Sequence, residues 1–153
     1  MAIDFRSLLK DNSQTVSRPK PIPECWLIAK IGAVGFDVTK GQETPYATFE
    51  LLNPSPHNDT DEDVMEILNT IDMKSLKSPF RKTLACDFWL TPDAKHHLAD
   101  MLDRVIGDPE RSLEERIPET RGVNVMFKVR PAKDQENKET AQVQVDGRTI
   151  APV

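Results

Sequence analysis

The chain has 153 residues, of which 38% are hydrophobic and 29% charged, a composition typical of one folded domain with a moderate core. No apolar run approaches the roughly 18 residues of a membrane-spanning helix, and no signal-peptide core follows the first residue, so no membrane contact is expected. Cys25 and Cys86 lie in strand-like runs as small apolar groups. Unpaired buried cysteines favour a reducing, cytoplasmic location.

The formal net charge of −5 is unevenly distributed along the chain. Residues 59–72 carry six acidic side chains and no Lys or Arg, and residues 108–119 carry five acidic and two basic side chains. The remaining segments, which include the candidate strands, are therefore mildly basic. The acidic balance alone does not exclude a polyanionic partner.

Residues 1–23 are predicted to form an N-terminal arm with a proline-rich linker, ahead of a folded domain over residues 24–153. The apolar side chains of the arm suit a helical turn or two that is too short to be stable alone. Two interpretations stay open, a disordered terminus or a docking segment for a partner or a second copy. The docking residues would be Phe5, Leu8 and Leu9.

Five runs alternate between apolar and polar residues, which predicts half-buried strands. They are Cys25–Ile31, Tyr46–Leu52, Arg81–Leu90, Val123–Val129 and Ala141–Val145.

Helical spacing marks three further segments. An acidic helix is predicted from Thr60 to Ile71, and Ser112 with Glu115 indicates a short capped turn. The principal helix is predicted to begin at Thr91-Pro92-Asp93, because a threonine cap, a proline at the first position and an early aspartate all favour a helix start. Its apolar stripe ends before Gly107; the stripe contains Ala94, Leu98, Met101, Leu102, Val105 and Ile106.

These elements predict a mainly β fold. Five short antiparallel strands, with one principal helix between the third and fourth, fit a Greek-key barrel of the oligonucleotide-binding (OB) type. A more open antiparallel sheet that carries a helix is the competing architecture.

Strand parity yields the main functional hypothesis, because neighbouring residues in a strand point to opposite faces. Both tryptophans and the only tyrosine are predicted to lie on the same strand face as Lys and Arg, opposite the face that carries the aliphatic residues. Aromatic rings among cations suit single-stranded nucleic acid, whose bases stack on rings while cations contact phosphates. The alternative is that Trp26 and Trp89 form an apolar floor beneath the principal helix. The candidate nucleic-acid residues are Trp26, Lys30, Tyr46, Arg81, Lys82, Trp89, Lys128, Arg130 and Lys133.

The sequence gives little support for catalysis. Adjacent histidines at His96 and His97, with no paired cysteines, do not provide the spacing of a metal site, and no cofactor motif occurs. A metal-dependent nuclease remains a minor hypothesis, since it needs clustered carboxylates with a lysine. Its candidates would be Asp37 with Lys40, or Asp87 with Glu50.

One stretch resembles a known group of proteins. The chain contains Phe88-Trp89-Leu90-Thr91-Pro92-Asp93-Ala94-Lys95, then a helix with Leu98 and Leu102, and then Ile117–Gly122 before a hydrophobic strand. This order of elements is similar to that of small bacteriophage proteins encoded among replication and recombination genes. The resemblance covers roughly Thr83–Ile150 and implies an OB-like fold with single-stranded DNA binding. Bacterial single-strand-binding proteins recruit partners through an acidic tail. Here recruitment is expected to use the acidic segment at residues 59–72 or the arm.

The resulting expectation is a non-enzymatic protein that binds single-stranded DNA with little sequence preference in phage replication or recombination. The alternative is a protein-interaction module of a phage replication, recombination or virion assembly. In that case the arm and the acidic helix at residues 61–71 would carry the contacts, with self-association as one form they could take.

Overall fold

The fold was obtained as a computed structural model that describes residues 3–14 and 20–153. Part of the predicted proline-rich linker, residues 15–19, lies outside these ranges. The strands are β1 (Cys25–Val38), β2 (Pro45–Pro56), β3 (Ala85–Trp89), β4 (Asn124–Lys133) and β5 (Glu139–Pro152). The helices are α1 (Phe5–Leu8), α2 (Glu62–Leu68), α3 (Lys95–Val105) and α4 (Leu113–Arg116), with 3₁₀ turns at Met73–Ser75 and Ile117–Thr120.

The five strands form one antiparallel sheet in the order β3-β2-β1-β4-β5, so the predicted mainly β fold is confirmed. β1 is the central strand and pairs with β4 over residues 25–30 and with β2 over most of its length. Register shifts in the β1–β2 ladder lie between Ile28 and Lys30 and again between Ile31 and Val34. Such bulges increase the local bend and twist of a strand, which curls the sheet around its core.

The buried face of the sheet follows the predicted parity. In each strand the aliphatic residues and phenylalanines of one phase form the core, and α3 adds its own apolar stripe to them. The largest fully buried side chains are Phe49, Phe127, Ile22, Leu27, Ile31, Leu51, Leu68, Leu84, Leu98, Met101, Leu102 and Ile150. Ile22 is among them, so the chain enters the core just before the predicted start of the domain.

The sheet does not close into a barrel among the described strands. β3 and β5 are its two edges, and they touch through side chains without a ladder between them. α3 contacts both edges, and the Arg104 guanidinium donates hydrogen bonds to the backbone oxygens of Ile150 and Gly147 on β5. The predicted helix between strands 3 and 4 therefore lies across the open side.

The ends of several elements differ from the prediction. β1 and β2 continue beyond their apolar runs to Val38 and Pro56, because they pair with each other as a long hairpin. The third strand was expected from Arg81 and begins at Ala85, because residues 78–83 form a turn instead. β4 and β5 also extend beyond the predicted runs, which leaves residues 134–138 as the loop between them.

The predicted start of the principal helix was wrong by one turn. α3 begins at Lys95, and the Thr91 carbonyl accepts hydrogen bonds from the amides of Ala94 and Lys95. The Thr91 hydroxyl bonds the Asp93 side chain instead of capping a helix amide, which lowers the pKa of that carboxyl. No helix in residues 3–14 and 20–153 is both long and apolar enough to cross a bilayer.

Gly147 allows β5 to approach β3. A β-carbon at this position would lie 3.0 Å from Cys86 Sγ and from two ring carbons of Phe88. We expect Gly147→Ala to lower the free energy of unfolding by about 1–3 kcal/mol, because the core must shift to admit a methyl group. Urea denaturation measures the change.

Phe88→Leu provides the partner for a double-mutant cycle on this contact. A leucine at position 88 makes room beside residue 147, so the double variant should lose less stability than the two single losses combined. Additive losses would contradict a direct contact between these residues.

Candidate nucleic-acid interface

The two tryptophans lie on the outer side of the sheet. Trp26 is 39% exposed and Trp89 is 44% exposed, whereas Leu98 and Met101 of α3 are fully buried in the core. Neither indole ring is therefore sealed beneath α3, which is what the alternative interpretation required. The outer phase leaves both rings accessible to a ligand.

An aromatic cluster lies where β2 and β3 pair. Tyr46 and Trp89 are register partners whose ring centroids are 5.7 Å apart, at an angle of 75° between the ring planes. The Arg81 guanidinium carbon lies 5.2 Å from the Tyr46 centroid, within the range of a cation–π contact. Arg81 also donates a 2.7 Å hydrogen bond to the Asp87 carboxylate. Three of the predicted residues therefore meet in one place.

A shallow groove of about 260 Å³ also lies against Arg81. Most of the residues that line it have small side chains, among them Ala33, Gly35, Thr48 and Ala85. A β-carbon on Gly35 would come within 3.3 Å of the Thr48 methyl group, so the glycine keeps this part of the groove open. Thr48 Oγ1 is enclosed and has no hydrogen-bond partner among the described residues. We call this groove, with Tyr46, Trp89, Arg81 and Lys82, the β2–β3 face.

Phe80 precedes Arg81 in the turn before β3 and was missed by the sequence analysis. Its side chain is 96% exposed and its φ is 61°, a left-handed conformation that a bulky residue rarely adopts. The Arg81 amide bonds the Ser78 carbonyl across Pro79, so Phe80 occupies the turn position that glycine usually fills in a type II turn. Proline at the second position of a turn was the available signal, but it also suits a type I turn, which does not need positive φ.

Phe36 was missed for a different reason. Its side chain lies on the same face of the sheet as the buried Ala47, its register partner on β2. Phe36 lies beyond the core, however, and is exposed. The predicted strand ended at Ile31, so the hairpin extension that carries Phe36 was not foreseen.

The structure separates Trp26 from this aromatic cluster. Tyr46 pairs with Asp37, whereas Trp26 lies near the other end of β1, roughly 30 Å away along the strand. Trp26 lines a second pocket of about 370 Å³ whose other residues include Met126, Val64 and several carboxylates. Its register partner Lys128 forms a 2.7 Å ion pair with Glu24. This hydrogen bond lowers the pKa of the Glu24 carboxyl.

The other predicted cations are dispersed. Lys30 lies midway along β1, opposite Leu52 on one side and Asn124 on the other. Arg130 and Lys133 lie on β4, opposite Gln144 and Glu139 of β5. Of the nine predicted residues, the structure brings Tyr46, Arg81, Lys82 and Trp89 to one surface.

The charge of the β2–β3 face is nearly balanced. Asp37 and Asp87 are the register partners of Tyr46 and Thr48, and Glu50 lines the groove together with Arg81 and Lys82. A ligand on this face therefore gains more from the aromatic rings than from net charge.

The minor nuclease hypothesis finds no support in the geometry. Asp87 is held by Arg81, and no group of three His, Cys, Asp or Glu side chains in residues 3–14 and 20–153 has the arrangement of a metal site. The rings of His96 and His97 lie against each other, with centroids 4.0 Å apart. No further ligand among the described residues joins them.

The arm lies apart from these surfaces. α1 is a single turn in which the Asp4 side chain accepts hydrogen bonds from the amides of Arg6 and Ser7. The three predicted docking residues, Phe5, Leu8 and Leu9, are all exposed.

Comparison with known protein families, curated proteins and solved structures found no match to this chain. The resemblance to small bacteriophage proteins therefore stays a prediction, and the function rests on the geometry of the chain itself.

The strain at Phe80 leads to a stability prediction. Phe80→Gly removes the steric cost of the left-handed backbone, about 1–2 kcal/mol, which the greater flexibility of glycine in the unfolded chain partly offsets. Phe80→Ala is the matched control, because it deletes the same ring but retains a β-carbon. We expect the glycine variant to be more stable than the alanine variant by about 1 kcal/mol in urea denaturation. Equal stability of the two variants would argue against a strained turn.

The two thiols are expected to be unreactive in the folded protein. Burial raises the pKa of Cys25 to about 11, and it raises the pKa of the fully enclosed Cys86 as well. Because only the thiolate is nucleophilic, alkylation by iodoacetamide at pH 8 should be about a hundredfold slower than for a free cysteine. Mass spectrometry of native and urea-unfolded samples measures this ratio, and rapid native labelling would show that the thiols are accessible.

Proposed function

We propose that this protein binds single-stranded DNA on the β2–β3 face, without catalysing a reaction. The observation that carries the proposal is the pair of Tyr46 and Trp89, with Arg81 against the tyrosine ring, next to an open groove of small residues. Unpaired bases stack on such rings at about 1–3 kcal/mol each, and Arg or Lys beside the rings contacts the phosphates.

The small residues in the lining of the groove support contact with a base or a sugar. Its floor is made of small side chains and Gly35, which leaves room for a flat base or a sugar to lie against the sheet. Phe80 adds a third exposed ring one residue from Arg81. A strained backbone that presents an aromatic ring to solvent is typical of a binding site rather than of a stabilising contact.

We further propose that the sheet is an open variant of the OB barrel. In support, β1 pairs with both β2 and β4, and the principal helix lies between β3 and β4 across the gap between β3 and β5. OB domains bind oligonucleotides on the face of their second and third strands. The position of the aromatic cluster on β2 and β3 supports the same mode of binding for this chain.

Stacking on rings makes no hydrogen-bond readout of base edges, so little sequence preference is expected. A role in phage replication or recombination, in the cytoplasm of the host, is the setting that the sequence resemblance suggests. The salt dependence should be modest. If Arg81 and Lys82 each neutralise one phosphate, the slope of log K against log salt is about −1.4.

The central test is the loss of Trp89. We expect Trp89→Ala to weaken binding to poly-dT by about 1–3 kcal/mol, roughly 5- to 150-fold in Kd, measured by fluorescence anisotropy of a labelled oligonucleotide. Trp26→Ala is the matched control, because it removes an equally exposed indole ring from the other end of β1 and should change Kd less than twofold.

Phe80→Gly gives a second, independent variant, since it should lower DNA affinity without lowering stability. Equal loss from Trp26→Ala and Trp89→Ala would move the binding surface away from β2 and β3. No salt-dependent binding by the unmutated protein would overturn the proposed function.

A protein-interaction module is the second candidate. The exposed Phe5, Leu8 and Leu9 of the arm are the observation that favours it, because apolar side chains grouped on one short segment are typical of a docking motif. Pull-down from infected cells with and without nuclease separates the two functions, since partners held through DNA are released by the nuclease.

A further inference from the structure

The arm has an apolar surface that nothing in this structure covers. Its four large apolar side chains are 65–78% exposed, and α1 is only one turn long. A helix of this length is not stable alone in water, because nucleation costs more than one turn of hydrogen bonds returns. The four apolar side chains belong to Ile3, Phe5, Leu8 and Leu9.

The pocket at Trp26 offers an apolar surface against which the arm could pack. Cys25, Trp26, Val64 and Met126 give it apolar surface, and its volume is about 370 Å³, enough for one or two large side chains. Carboxylates lie around this apolar surface: Glu24, Asp59 and Asp61.

These carboxylates are available to a cation in different degrees. Glu24 is already paired with Lys128, but the Asp59 side chain is 93% exposed. Asp61 occupies the N-cap position of α2 and makes no side-chain capping bond. His57 lies beside them, and its Nδ1 accepts a hydrogen bond from the Asp59 amide. The open edge of the pocket is therefore acidic.

The arm carries the complementary charge. Residues 3–10 contain two exposed cations, Arg6 and Lys10, and one carboxylate, Asp4, which accepts hydrogen bonds from the helix amides; Asp11 follows directly. An arm that inserts Phe5 or Leu8 into the pocket would bring Arg6 towards Asp59 and Asp61. The two segments that the sequence singled out for partner recruitment thus complement each other.

The segment that joins the arm to the folded domain is long enough for this contact to form between two copies of the chain. Ile22 is 1% exposed and anchors the chain two residues before the pocket residue Glu24. An extended segment from Leu9 to Ile22 spans up to about 40 Å, which is sufficient to reach a neighbouring molecule. In this structure the arm lies outside its own pocket, with its apolar side chains exposed.

We propose that the protein is a homodimer in which the arm of each copy, residues 3–10, occupies the Trp26 pocket of the other. Two equivalent exchanges related by a two-fold axis close the assembly, as in dimers formed by swapping a terminal segment. The proposal does not depend on DNA binding, since the pocket lies at the opposite end of β1 from Tyr46 and Trp89.

The test measures the molecular mass of the full chain without nucleic acid, by sedimentation equilibrium over a range of concentrations. The unmutated protein should be dimeric, and Phe5→Ala with Leu8→Ala should weaken dimerisation by at least about tenfold, because buried aromatic and aliphatic anchors dominate such interfaces. Phe36→Ala is the matched control, since it removes a similarly exposed phenylalanine from β1 and should leave the mass unchanged.

A mixing experiment identifies the pocket as the acceptor. A pocket variant, Trp26→Ala with Asp59→Lys, should be monomeric alone, as should the arm variant. Mixed together they should form a heterodimer, because the intact arm of one meets the intact pocket of the other. Circular dichroism checks that both variants fold.

Three results would overturn the proposal. The first is a monomeric unmutated protein at every concentration up to its solubility limit. The second is a dimer that persists in the arm variant. The third is a monomer in which Trp26 fluorescence, read in a Trp89→Phe background, changes with Phe5→Ala and Leu8→Ala, which would mean that each arm occupies its own pocket.

Discussion

The constraint on which the molecule depends is the sealing of the open side of the sheet by α3. Leu98, Met101 and Leu102 fill the space between the two edge strands, and Arg104 fixes the helix to the backbone of β5. The interior is then occupied mainly by aliphatic residues and phenylalanines. Rings in the opposite phase, those of Trp26, Tyr46 and Trp89, have no place in this core and remain on the outer side.

The same arrangement explains why the molecule has two different surfaces. β1 is long enough that its two ends belong to separate environments, one lined by small residues and aromatic rings, the other acidic around Trp26. Each tryptophan therefore has its own chemical setting. The ring at β3 lies in the aromatic cluster with Arg81, whereas the ring at the start of β1 lies beside carboxylates that would repel a phosphate backbone.

The acidic net charge has a structural counterpart. Part of the acidic segment at residues 59–72 lies at the edge of the Trp26 pocket, away from the β2–β3 face. Negative charge is thus concentrated where it complements the basic arm, and the aromatic face stays close to neutral. In this arrangement the proposed nucleic-acid surface and the proposed self-association surface lie apart, and neither charge pattern opposes the other.

Much of the local structure could be predicted from the sequence. The inward phase of the first four strands, the helix between the third and fourth strands and the outward tryptophans follow from periodicity, which is a property of neighbouring residues. Strand ends were predicted less well. Val38 and Pro56 belong to strands because β1 and β2 pair with each other along the whole hairpin. A pairing partner is not visible in a local sequence pattern.

The candidate site was only half determined by the sequence. Parity placed Tyr46, Trp89 and Trp26 on one side of the sheet, and alternation alone decides that. The pairing register put Tyr46 beside Trp89 and left Trp26 at the far end of β1, and the turn around Pro79 gave Phe80 its left-handed backbone. The sequence determined which face each ring occupies, because side chains alternate along a single strand. Only the tertiary structure decided which rings meet, because distances between strands depend on register and curvature that no single segment encodes.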